Sequence, residues 1–254
     1  MPRSASSAVD KALDLIEAVA LAARPLRLGE LAQAVGLHRA TAYRVLLDLV
    51  ARGWVLRVGE HYLPGGAALR VSRAAAAGSL AALAHPVLAR LAEATAMMVN
   101  LQVLEADRSR VVGAVRPPRL QMISDLLGEA LPVHRFAGPL ALVACLEAAA
   151  REPYLAAARE AGYPLDGPHG LLADLDRARA DGYALERGRN DKLIASISRA
   201  VVSAQGAPLC ALTVVGPDAE FDDARVARLR ERLAEATAEL YTILTTRTGD
   251  GSPS

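Results

Sequence analysis

Residues 26–57, LRLGELAQAVGLHRATAYRVLLDLVARGWV followed by LR, constrain the fold more than any other stretch of the chain. Leu31 and Val35 lie at helical spacing before Gly36, and Ala42, Val45, Leu46 and Leu49 do so after it. The pattern predicts a short helix over residues 30–35 and a second over residues 38–52, with Gly36 supplying the left-handed turn that other residues adopt only at a cost. Gly53 ends the second helix, and residues 54–58 and 61–63 read as a two-stranded wing turning at Gly59-Glu60. The outer face of that helix carries Arg39, Ala40, Tyr43, Arg44 and Leu47, where a merely solvated face would hold mixed Glu and Lys. A unit of this kind can set one helix into the major groove of DNA. Arginine forks onto guanine edges or pairs with phosphate, and a tyrosine hydroxyl can do the latter. The expected DNA contacts are His38, Arg39, Thr41, Tyr43 and Arg44. Thr41 and Arg39 suit phosphates, Tyr43 and Arg44 suit base edges, and His38 fits equally a solvent-facing neutral histidine at a helix start. A winged helix used for protein contacts is the other reading of the pattern.

Charge distribution agrees with the first reading. The net charge is +1 over 254 residues, so no global field draws the chain to nucleic acid. Residues 1–73 nevertheless hold ten Lys/Arg against six Asp/Glu, and the remainder holds nineteen against twenty-two. A basic small domain joined to a mildly acidic larger one is expected if only the first meets phosphates, although counts this small also arise by chance. Lys11 and Lys192 are the only lysines, which points to a GC-rich genome more than to a fold. Cys145 and Cys210 sit far apart in apolar surroundings and read as buried free thiols of a reducing compartment. There is no apolar signal core at the start and no uncharged apolar run of membrane-spanning length, so a cytoplasmic protein is expected.

The rest of the chain reads as helices and strands in alternation. Val9, Ala12, Leu13, Ile16, Val19 and Ala20 mark the inner face of a first helix, capped by serine and ended at Arg24-Pro25. Residues 67–84, AALRVSRAAAAGSLAALA, favour a linker helix, with a flexible tether as the alternative because of Gly78-Ser79. Another helix is expected to start at His85-Pro86. Strands are expected near residues 97–104, 111–115, 194–202 and 209–215, and helices over 139–150, 153–161, 171–182 and 222–245. This order fits an α+β sheet packed by helices rather than a repeated βαβ fold.

Five blocks, in order, resemble the IclR family of bacterial transcription regulators. They are AVDKALDLIEAV, GELAQAVGLHRATAYRVLLDLVARGWV with HYLPG, LPVHRFAGPLALVA, RADGYALE, and IASISRAVVSAQGAPLCALTVVGP. The resemblance implies an N-terminal winged helix-turn-helix over residues 1–66, a linker helix over 67–84, a C-terminal α+β effector-binding and oligomerisation domain with a GAF-like sheet over 85–248, and a disordered tail over 249–254. It further implies a double-stranded DNA operator, a small organic or aromatic acid as effector, and a homodimer or homotetramer. The family usually carries a hydroxyl where Ala40 stands, so the operator contacts rest more on the arginines.

By the same resemblance, the effector site falls on Ala137 and Gly138, Glu186, Ser196 with Ser198, and Thr213, walled by Leu120 and Ile123. The family's Gly-Lys after the histidine motif is replaced by Pro139-Leu140, its cysteine by Ser196, and one of two hydroxyls by Val215. A less polar site is expected, suited to a larger or more apolar ligand than a two- or three-carbon keto acid. The alternative is a degenerate, ligand-free domain that serves oligomerisation alone. Arg199 lies on the opposite face of its strand and is not expected at the ligand. No GxSxG, HExxH, Walker loop or GxGxxG occurs, so neither an enzyme, a cofactor nor a metal is expected.

Overall fold

The chain is described from a computed structural model covering residues 7–71, 79–121 and 123–249. It divides into two compact units, Met1–Ser79 and Leu80–Ser254.

In the first unit, helix α1 (Ala8–Ala20) opens on a capping box. The Asp10 amide donates to Ser7 Oγ at 3.1 Å and the Ser7 amide to Asp10 Oδ2 at 2.8 Å. Its buried stripe is Leu15 and Val19, flanked by Ala12 and Ile16. Val9 and Leu13, expected inside, are 65% and 52% exposed. The helix is apolar on two overlapping stripes at i, i+3, i+4 and i+7, and only packing selects the one containing Leu15. A short strand β1 (Leu26–Arg27) leads into α2 (Leu28–Ala34), and Gly36 at φ +65° makes the turn to α3 (Arg39–Ala51). Leu31 from α2 and Ala42, Leu46 and Leu49 from α3 close the core over Leu15, with Val45 only partly buried. The wing is β2 (Val55–Val58) and β3 (His61–Pro64), paired from Val58↔His61 outward. β1, a strand not expected from the sequence, adds to the other edge of β3.

The second unit starts earlier than the sequence suggested. Helix α4 (Leu80–Thr95) runs through Pro86, because Ala81, Ala82 and Ala84 extend it on the N-terminal side of the proline. Residues 66–71 are helical, whereas 72–78 of the expected linker and 250–254 of the expected tail lie outside the described residues. β4 (Met98–Glu105), β5 (Arg108–Val115), β6 (Ala130–Leu131), β7 (Ala184–Arg187), β8 (Ile194–Val202) and β9 (Pro208–Pro217) form an antiparallel sheet. Among the described residues its order is β6-β5-β4-β9-β8-β7. Strand alternation gives the sheet two chemically different faces. Leu101, Leu212, Val214 and Ile197 join the core beneath α4 and the C-terminal helix α8 (Asp223–Gly249). Asn100, Thr213, Ser198, Ser196 and Glu186 point to the other face, in two cross-strand rows: Asn100↔Thr213↔Ser198 and Val215↔Ser196↔Glu186.

Three helices pack beyond that second face: α5 (Ala137–Ala144), α6 (Glu152–Glu160) and α7 (Leu171–Asp181). α5 stops at Ala144, short of the expected residue 150. The buried Arg151 satisfies its end, donating from Nη2 to the Ala144 carbonyl at 2.9 Å and from Nε to that of Leu146 at 3.0 Å.

Candidate nucleic-acid interface and ligand cavity

The outer face of α3 is built as two adjacent helical rows, Arg39–Tyr43–Leu47 and Ala40–Arg44–Leu47. All five side chains are exposed, Thr41 is half-buried at their flank, and His38 is the exposed N-cap. Among the described residues, Arg39 and Arg44 enter no ion pair, while other arginines of this unit do. Arg24 binds Glu30 at 2.5 Å, and that carboxylate also accepts the Arg27 amide at 2.7 Å. Held first by Arg24 and then by the Arg27 amide, Glu30 has its pKa lowered to about 2. At the wing, Arg57 Nε donates to the Gly59 carbonyl at 3.0 Å, which fixes the turn. The uncommitted cations of the unit therefore include the pair facing outward from α3.

The second unit holds a cavity of about 130 Å³ over the polar face of its sheet. Six residues expected at an effector site line it: Ile123, Ala137, Gly138, Glu186, Ser196 and Thr213. The two others do not. Leu120 is packed in the hydrophobic core, 2% exposed, because the short 3-10 turn Pro118–Leu120 directs it inward. Ser198 shares a cross-strand row with Asn100 and Thr213 but does not reach the cavity; its hydroxyl donates to the Leu212 carbonyl at 3.1 Å and shares a 2.9 Å bond with Thr213 Oγ1. Arg199 faces away from the cavity, as expected from alternation, and donates to the Gly182 carbonyl at 3.1 Å.

Sequence reasoning missed Asn100 and Gln102 of β4, along with Phe136 and the loop residues Asn190 and Asp191. A signal for the first two existed. In MVNLQVL the polar residues alternate with apolar ones in a strand that is buried on both faces, and a buried polar residue calls for a reason. Gln102 Nε2 donates to Thr213 Oγ1 at 3.2 Å, and Gln102 Oε1 accepts from Ser109 Oγ at 2.8 Å. Gly138 is what lets α5 approach this group: a Cβ there would lie 2.0 Å from Gln102 Oε1.

Glu186 closes one side. Its Oε1 accepts the Arg189 amide at 2.6 Å and its Oε2 accepts the Ser196 hydroxyl at 3.1 Å. Burial pushes the Glu186 carboxyl above the ordinary glutamate value, against the lowering effect of those two donors and of the Arg189 charge. Arg189 in turn lies 2.7 Å from the buried Asp174 carboxylate, so the loop at the cavity rim is tied to α7. At the other side stands the N-terminus of α5, where helix geometry leaves the Ala137 and Gly138 amides without an intrahelical acceptor. The described lining contains two acids, Glu186 and Asp191, and no Lys, Arg or His.

Burial raises the thiol pKa of both cysteines, that of Cys210 to about 12. His134 is buried against Tyr163 with ring centroids 5.2 Å apart. No helix among the described residues is long and apolar enough to cross a membrane.

A winged helix-turn-helix followed by an α+β unit with an internal cavity is the architecture of a two-part transcriptional regulator. Comparison with known proteins bears this out. The model of the IclR helix-turn-helix domain matches residues 8–59, and that of the bacterial transcriptional regulator IclR C-terminal domain matches residues 73–241. The chain is 30% identical to the HTH-type transcriptional regulator BhcR of Paracoccus denitrificans, over 92% of this chain and 85% of that protein. It is 28% identical to the acetate operon repressor of Salmonella typhimurium, over 91% of this chain and 87% of that one. Its fold is shared with an IclR homolog from Microbacterium hydrocarbonoxydans crystallised with 4-hydroxybenzoate, at a TM-score of 0.72 and 22% identity, covering 94% of this chain and all of that one (100%). The chain belongs to the IclR family of bacterial transcriptional regulators.

Proposed function

We propose that this regulator grips an operator through α3 and that a small organic or aromatic acid, held in the cavity of the second unit, sets the strength of that grip. The observation that carries the proposal is the cavity itself. It combines an apolar wall, a polar floor arranged before any ligand enters, and unspent helix-terminal amides that suit an oxyanion. The relative crystallised with 4-hydroxybenzoate supports an acid of that size class. On the DNA side, Arg44 and Tyr43 read base edges, Arg39 and Thr41 hold phosphates, and His38 contacts the backbone at the helix start. Two copies bind a near-palindromic site, with half-sites about 34 Å apart or a multiple of it. A two-fold operator of this kind is met by a homodimer or a pair of dimers, which we place in the cytoplasm.

Gel-shift titration with the DNA upstream of the protein's own gene tests both halves. A retarded complex is expected, weakened by Arg44→Ala and altered by a bound acid. A complex indifferent to Arg44→Ala would contradict the assigned face.

A further inference from the structure

Hydrogen-bond accounting among the buried polar side chains around the cavity leaves one over. Gln102, Ser109, Thr213 and Ser198 satisfy one another, and Ser196 and the Arg189 amide satisfy Glu186. Asn100 lies in the same floor, in register with Thr213, and is 1% exposed. Its Oδ1 has no hydrogen-bond partner among the described residues, and its Nδ2 donates to none of them. A carboxamide buried in this way destabilises the protein that carries it, and natural interiors rarely tolerate one without a purpose. Among the described residues the amides of Ala137 and Gly138, which line the same cavity, donate to no acceptor and form a second unspent polar group. They are close by, because Gln102, two residues from Asn100 on the same face, is the side chain against which Gly138 packs.

We propose that Asn100 is the specificity-determining residue of this cavity and that it reads an organic monoacid bearing a hydroxyl group. The inference rests on the reading of the cavity as the effector site. The Ala137 and Gly138 amides, with Asn100 Nδ2, take the carboxylate oxygens, and Asn100 Oδ1 accepts the hydroxyl proton. A carboxamide is suited to this task because it offers donors and an acceptor at one position. A single negative charge is the limit. Glu186 and Asp191 line the cavity and no cation among the described residues does, so a second carboxylate or a phosphate would be buried without a counter-charge. The carbon skeleton rests on Ile123, Leu126, Leu131, Phe136 and Ile194.

The test uses the full chain as wild type, Asn100→Leu and Asn100→Asp. Thermal melting is measured without ligand. Calorimetric titration then uses two probe pairs that differ by one hydroxyl: mandelate against phenylacetate, and 3-hydroxybenzoate against benzoate. Asn100→Leu is expected to melt at or above the wild type, since it removes an unsatisfied buried group. The wild type is expected to prefer the hydroxylated member of at least one pair. Both variants are expected to weaken that binding roughly tenfold or more, Asn100→Asp the more strongly through charge repulsion. Melting of Asn100→Leu several degrees below the wild type would show a structural role and overturn the proposal. So would equal binding of hydroxylated and parent acids, binding unchanged in Asn100→Leu, or no binding by any probe. If the wild type discriminates the acids as stated but ignores its upstream DNA, the regulator reading fails and the role of Asn100 stands.

Discussion

Gly138→Ala is the substitution through which the structure speaks most quantitatively. The added Cβ would lie 2.0 Å from Gln102 Oε1, 2.4 Å from Cδ and 2.5 Å from Nε2. Either α5 lifts from the sheet or the Gln102 carboxamide moves. The second course breaks the bonds from Ser109 and to Thr213, all three residues being buried. Two buried hydrogen bonds are worth about 0.5–1.5 kcal/mol each, and overpacking adds roughly 1–3 kcal/mol. The helix propensity gained from alanine returns at most about 1 kcal/mol. A net loss of about 1–5 kcal/mol follows, or a fall in Tm on the order of 2–20 °C for a unit of this size. Calorimetry of the full chain is the suitable assay, because Trp54, the single tryptophan, lies in the first unit and its fluorescence reports on that unit alone. The cause is checked in a Gln102→Ala background, where the clash has no object and Gly138→Ala should cost less than about 1 kcal/mol. A loss within about 0.5 kcal/mol of zero in the wild-type background, or an equal loss in both backgrounds, would refute the steric account.

Other consequences concern both units. Arg44→Ala should weaken operator binding by about 1–3 kcal/mol and relax base preference, whereas Arg39→Ala should weaken binding to all sequences alike and flatten the salt dependence by about one counterion, both measured by anisotropy across a salt series. Glu186 has a pKa raised by burial, so the folded state binds its proton more tightly than the unfolded one. Stability of the second unit should therefore fall as pH rises through the window above the ordinary value of 4.5, and Glu186→Gln should flatten that slope in thermal melts. Glu30 has the opposite sign: its lowered pKa gives the first unit a contribution that is present above 4.5 and lost only as pH falls toward about 2, and Glu30→Gln should remove that acid-limb dependence from Trp54-detected melts.

How far the sequence carried the account depends on whether one face of an element was enough to decide it. α3 was legible because its two faces differ in kind, apolar inside and arginine, tyrosine and leucine outside. α1 was legible as a helix but not in its orientation, since Val9 and Leu13 compete with Leu15 for the core and only tertiary packing decides. Strands β6 and β7 were missed because two- and four-residue elements leave no period to read. In the cavity, residues carried by motif resemblance came together at Ala137, Gly138, Glu186, Ser196 and Thr213, while Leu120 turned into the core and Ser198 bonded to Thr213 instead of lining the space. Asn100 and Gln102 belong to no block that the resemblance used. They become visible only when each buried polar atom is asked for its partner.

The central claim is that occupancy of the cavity and DNA binding by α3 share free energy. The direct measurement is the affinity of the full chain for its own upstream duplex, by fluorescence anisotropy, without and with a saturating acid that calorimetry shows to bind. A coupling of about 1–3 kcal/mol, a change in Kd of roughly 5- to 150-fold, is predicted. An acid that binds at full stoichiometry and leaves the DNA affinity where it was would contradict the account.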